Sequence, residues 1–236
     1  MTALKRDGCQ DMAGTSAATR PQEYLYLGLY AFALLGLELV LAAIEPALGL
    51  LSGSLRASVV HWVLSAVIWL GGATGLVAWA RHRTGFKLRG EAGTRIGVLR
   101  WLVVAGLVVL TVAAQWTLRG GVFPPVAERN AFLELFGDAG AVAWLVQVAY
   151  YVAEAVVVSL IIGFGQRAGE RCSGAGRVPW GGIMLALTWG LVHFLTQDFA
   201  TGIYGIALSL IMGTVHVLTG KNLFTTYPIV LVMFIL

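Results

Sequence analysis

Seven apolar runs divide this chain, at residues 24–44, 59–80, 96–116, 139–164, 180–195, 201–217 and 223–236. A helix rises ~1.5 Å per residue, so about 20 apolar residues cross the ~30 Å hydrocarbon core of a bilayer. Inside that core a helix is the one element that satisfies its backbone within a single segment. The runs therefore predict an all-α fold, a polytopic transmembrane helix bundle of about seven spans. Composition supports this, since 58% of the 236 residues are hydrophobic and 12% charged, too few charges to coat a water-facing shell. The last run holds 14 residues and reaches only ~21 Å, which predicts a short or little-tilted final helix.

Lys and Arg set the orientation, because loops rich in them stay in the cytoplasm. Counting alternate loops from the N-terminus gives 13, with six of them between Arg81 and Arg100, against three in the intervening loops. The expectation is a multi-pass protein of the plasma (inner) membrane with a cytoplasmic N-terminus. Residues 1–23 read as a polar tail carrying Lys5, Arg6, Asp7, Asp11 and Arg20, without a cleavable signal peptide. Residues 24–236 read as a single transmembrane domain. The net charge of +4 comes from residues that orientation demands and lacks a basic, aromatic-interleaved module, so nucleic acid is not an expected partner. Membrane lipid is. Cys9 and Cys172 fall on the cytoplasmic side in no metal or redox spacing, and no cofactor or metal is expected.

Between the third and fourth runs, Pro124 and Pro125 precede a short amphipathic stretch, 130–136, expected to lie on the outer interface. Gly71 and Gly75 form a small-xxx-small pair that could draw the second span towards a neighbour. Glu45 reads as an interfacial end-cap of the first span. His61 falls at a span edge, His82 in a loop, and His216 near the cytoplasmic end of the sixth span.

Ionisable residues within the spans cost a few kcal/mol each unless paired or solvated, so they mark candidate sites. Glu38, Glu154 and His193 lie at estimated depths of ~21, ~15 and ~20 Å from the cytoplasmic edge, close enough to share one layer. Glu154 shares a helix face with Gln147, Tyr150 and Tyr151. His193 has Trp189 one turn below and Gln197 one turn above. A carboxylate and an imidazole can activate a shared water, the first as general base and the second orienting the water or protonating a leaving amine. The same pair can instead hold helices together through interhelical hydrogen bonds.

The closing stretch, GGIMLALTWGLVHFL from Gly181, then LTGKN at 218–222 and YPI at 227–229, resembles the CAAX protease and bacteriocin-processing family of intramembrane proteases, also called the Abi family. In that family an EExxxR motif precedes FxxxH, a Gly-rich helix ending in a Thr-Gly turn, and a helix with Pro-Ile before a final His and Asn. The resemblance covers residues 139–236 and places the first motif on Ala153, Glu154 and Val158. The second falls on Trp189 and His193, and the last on Pro228, Ile229, Val232 and Leu236. It implies Glu154 and His193 as the catalytic pair, with Glu38, Gln147 and Trp189 as supporting candidates. It also implies that the motif's first Glu, its Arg and the oxyanion-stabilising His and Asn have been replaced. Three readings follow: a weakened or non-catalytic relative that binds or protects a membrane peptide or protein partner, an active intramembrane endopeptidase, and a small proton-coupled transporter using Glu38, Glu154 and His193.

Overall fold

A computed structural model describes residues 21–50, 53–90 and 96–236. The residues of the polar tail up to Arg20, with Cys9, lie outside the described residues, as does Arg95 of the basic loop. The described chain is helical, with no strand among the described residues. Its helices are α1 (Pro21–Ile44), α2 (Leu55–Thr84), α3 (Val98–Leu118), α4 (Pro124–Phe136), α5 (Gly140–Ser173), α6 (Trp180–Leu185), α7 (Leu191–Thr196), α8 (Phe199–Leu218) and α9 (Leu223–Ile235). Five segments are long and apolar enough to cross a membrane, and two shorter apolar segments, Trp180–Thr196 and Leu223–Ile235, complete the seven. Val67 in α2 and Val109 in α3 are 63% and 66% exposed. Hydrocarbon tolerates such surfaces and water does not. The chain is an integral membrane protein.

Helix α5 forms the centre. It packs against α1 and α2 on one side and α6 and α9 on the other, with α4 along its beginning. Its middle is buried on every side, from Val157 through Gln166. Helix α3 touches only α8 and α9 appreciably, leaving most of its surface outward. Because lipid tails are as apolar as these side chains, close packing and polar contacts hold such helices together. Trp180–Thr196 crosses α8 closely, where Gly182 meets Gly213 through backbone atoms with no room for a Cβ and Gly190 lies tightly against the Ile206 backbone. Gly71 and Gly75 have no neighbour within reach of a Cβ, so the expected small-xxx-small contact does not form there.

Several boundaries run past the apolar runs. Helix α2 begins at Leu55, capped by the Ser54 hydroxyl, which accepts from the Ala57 N–H at 3.2 Å. It continues to Thr84, where Gly85 at φ 67° stops it. His61 therefore sits nearly two turns inside the helix, and His82 lies on its last turn. Helix α5 continues beyond the apolar run to Ser173, because Gln166, Arg167 and Glu170 extend it and Gly174 ends it in the left-handed region. Pro124 and Pro125 start α4, where their missing N–H groups cost nothing. Phe132 of α4 packs edge-on against Trp62, with ring centroids 5.5 Å apart.

Candidate functional site

The segment that carries Trp189 and His193 is irregular. Between α6 and α7, Ala186–Gly190 forms a π-helical turn in which the Leu191 N–H reaches the Ala186 carbonyl. The Thr188 hydroxyl donates to the Met184 carbonyl at 2.8 Å and so competes for the normal helical ladder. Such turns re-aim side chains and recur at functional sites. Here the turn directs Trp189 towards α5.

The Trp189 indole Nε1 donates to Oε1 of Glu154 at 3.1 Å. One turn on, Nδ1 of His193 lies 2.7 Å from the Trp189 backbone carbonyl. A carbonyl can only accept, so Nδ1 carries the proton and Nε2 is the basic nitrogen of the neutral ring. The two rings meet edge to face, with centroids 4.2 Å apart. Glu154 and His193 thus belong to one cluster but are joined through Trp189. Carboxylate–imidazole pairs within 4.0 Å occur among the described residues only at His61. From α9, Phe234 supplies the neighbouring ring, 5.7 Å from Trp189 and 5.9 Å from Tyr151. Val232, on the position matched to the family's final His, is 40% exposed.

The polar stripe on α5 divides among three neighbours. Tyr150 donates to Glu38 Oε1 on α1 at 2.6 Å, and its ring lies 4.8 Å from that of Trp69. Tyr151 donates to Glu128 of α4 at 3.1 Å. Glu154 takes the Trp189 indole. The side-chain oxygen of Gln147 is buried with no hydrogen-bond partner among the described residues. Glu38 enters the layer through Tyr150, which lies within electrostatic reach of both Glu38 and Glu154.

A second cluster, which sequence reasoning missed, adjoins the first. His61 Nε2 lies 3.0 Å from Glu38 Oε1, and its Nδ1 lies 2.8 Å from Glu45 Oε1. Glu45 is therefore more than an end-cap, and His61 more than an edge residue. Ionised carboxylates only accept, so satisfying both ring nitrogens requires a second proton on the imidazole or one on a carboxyl. The available signal was the seven-residue spacing of Glu38 and Glu45, which puts both on one face.

His216 lies apart, as expected, and its role is local. The Thr226 hydroxyl donates to the Asn222 carbonyl at 2.9 Å and is 2.9 Å from His216 Nδ1, which therefore donates to it. Among the described residues no group of three or more His, Cys, Asp or Glu side chains could hold a metal ion.

The fold and this buried polar layer define a class, an α-helical integral membrane protein with ionisable groups held between its helices. Compared with known proteins, the chain gives no significant match to a family model, a curated protein or a solved structure.

Proposed function

We infer that this membrane protein is a CAAX-protease-like scaffold that binds or protects a membrane-embedded peptide or protein partner without hydrolysing it. The supporting observation is the Glu154–Trp189–His193 cluster. Its carboxylate is engaged by an indole, its imidazole by a backbone carbonyl, and its neighbour from α9 is the apolar ring of Phe234. Peptide hydrolysis needs donors aimed at the developing oxyanion, and loss of one such donor costs roughly 100- to 1,000-fold in rate. The matched positions here, Val232 and Leu236, have no side-chain donor. An amphipathic indole beside a carboxylate and an imidazole suits recognition of backbone and side-chain groups on a passing helix. In this reading the protein spans the plasma membrane with its basic end in the cytoplasm.

The test places a photo-crosslinking residue at Phe234 in cells and compares wild type with Glu154→Gln and His193→Ala. A discrete crosslinked partner that both substitutions weaken, at unchanged protein level, supports the binding reading. Absence of any crosslinked partner, or a partner indifferent to both substitutions, contradicts it.

The Glu38–His61–Glu45 cluster favours a second reading, a proton-coupled carrier, because a proton shared among three groups held between membrane helices is what such a carrier needs. Proton flux into liposomes that His61→Ala and Glu38→Gln both abolish would select it over the binding reading.

A further inference from the structure

Helix α1 starts beside Arg83, where Glu23 meets it, and at its far end the chain enters a short 3-10 turn, Glu45–Leu48, closed by Gly49 at φ 73°. The turn is loosely seated. Pro46, Ala47, Leu48 and Gly49 are all exposed, and its anchors are Leu50, buried just beyond it, and the Glu45 side chain. Among the described residues Glu45 has one side-chain partner, His61 of α2, whose Nδ1 lies 2.8 Å from its Oε1. We propose that Glu38, His61 and Glu45 form a proton-operated clasp: one proton held among them closes this turn onto α2, and its loss releases the turn.

The two nitrogens of His61 face two carboxylate oxygens, at 3.0 Å on Glu38 and 2.8 Å on Glu45. A neutral imidazole has one N–H and one lone pair. With both carboxyls ionised it donates to one of them, and its lone pair then faces the other at hydrogen-bond distance with no hydrogen between. One added proton, on the ring or on a carboxyl, makes both contacts hydrogen bonds. Without it one contact breaks, and the surroundings decide which. Glu38 lies within α1, packed against α5, and also accepts from the Tyr150 hydroxyl at 2.6 Å. Glu45 lies past the helix end and has no second side-chain donor among the described residues. The Glu45 contact therefore yields, and the turn moves with Leu50 as its pivot.

Few other charges reach these groups. Those acting on His61 are Glu38 and Glu45. From α5, Tyr150 touches Glu38, and Glu154 lies within its electrostatic reach. From α4, the ring of Phe132 meets Trp62, the neighbour of His61, without charge. Among the described residues Arg56, on the first turn of α2, makes no ion pair with either carboxylate. Leu51 and Ser52, outside the described residues, carry no charge. The side chains of Glu38, His61 and Glu45 are 28%, 18% and 12% exposed, so the proton exchanges at this end of the bundle. The closed state holds one more proton than the open one, so closure is favoured as pH falls and lost as pH rises. The clasp stands apart from both readings of function, since it needs neither a partner nor flux across the membrane.

A nitroxide at Ala47→Cys, in the full chain with Cys9→Ser and Cys172→Ser and held in lipid nanodiscs, tests this. Its spectrum reports the ratio of mobile to immobile turn between about pH 5 and about pH 9, the range in which a histidine-centred cluster titrates. The ratio should rise about tenfold across that range, as loss of one charge-assisted hydrogen bond implies. Glu45→Gln removes the need for the extra proton, because an amide N–H can donate to the imidazole lone pair, and should give one ratio at both extremes. His61→Ala should leave the turn mobile throughout. If His61→Ala fails to fold, Glu45→Gln decides alone. A ratio independent of pH in the protein with Glu45 and His61 intact, or a pH transition that persists in Glu45→Gln, would overturn the proposal.

Discussion

The Trp189 indole nitrogen donates to Glu154 Oε1 across 3.1 Å, a single interhelical hydrogen bond that joins the central helix α5 to the π-turn. Hydrogen bonds between membrane helices contribute about 0.6 kcal/mol on average and up to about 1.7. Trp189→Phe keeps most of the ring and removes the donor. Combined with Glu154→Gln in a double-mutant cycle, it should show a coupling of about 1 kcal/mol in thermal unfolding in detergent. Additive effects would mean that the bond contributes nothing to stability.

His61 separates two carboxylates, so its removal should be more damaging than loss of an ordinary hydrogen bond. His61→Ala leaves Glu38 and Glu45 without their shared donor, and a destabilisation of about 2–4 kcal/mol is expected. Adding Glu45→Gln should recover part of it, because one of two partly buried negative charges is gone. No recovery in the double variant would show that packing, not charge, made His61 necessary.

Thr226 is wholly buried and accepts from His216. Thr226→Val should cost about 1–3 kcal/mol by stranding the imidazole N–H, and Thr226→Ser should restore most of it. Equal losses for Val and Ser would trace the effect to the missing methyl contact.

Gly213 meets Gly182 backbone to backbone, whereas Gly71 and Gly75 face open space. Gly213→Leu should therefore prevent close approach of α8 and destabilise the protein by several kcal/mol, roughly as overpacking does elsewhere. Gly71→Ala and Gly75→Ala should be neutral or stabilising by up to about 1 kcal/mol. Thermal unfolding of the three variants side by side checks the assignment.

Asp198 caps α8, accepting from the Thr201 N–H at 3.0 Å and its hydroxyl at 2.8 Å. The backbone N–H first, and the hydroxyl after it, hold this carboxyl below the usual range. A lowered folded-state pKa means that the cap is fully present above the unfolded value of about 3.9 and is lost as pH falls through the folded one. Hydrogen exchange at Thr201 should accelerate about fivefold in Asp198→Ala near neutral pH. The difference from wild type should disappear in acid.

The seven apolar segments were legible because lipid-facing and core-facing residues are both apolar, so hydropathy alone marks the runs. The same property hid which faces pack: Gly71 and Gly75 carried the expected spacing but point outward, while Gly182 and Gly213, 31 residues apart in sequence, make the close crossing. Glu154 and His193 were identifiable because an ionisable residue inside an apolar run is informative at any position, and Trp189 because it lies one turn from His193. Their connection through the indole was not, because the π-turn at Ala186–Gly190 alters side-chain direction without a sequence period to announce it. His61 escaped notice because a helix start at Leu55 depends on the Ser54 cap, which lies outside the apolar run.

Peptide cleavage tests the central claim most directly. Purified protein in detergent is incubated with membrane-anchored peptides, and products are read by mass spectrometry for wild type, Glu154→Ala and His193→Ala. The expected result is no cleavage above the level shared by all three proteins. Cleavage by wild type that either substitution lowers by orders of magnitude would contradict the non-catalytic reading and establish an active peptidase.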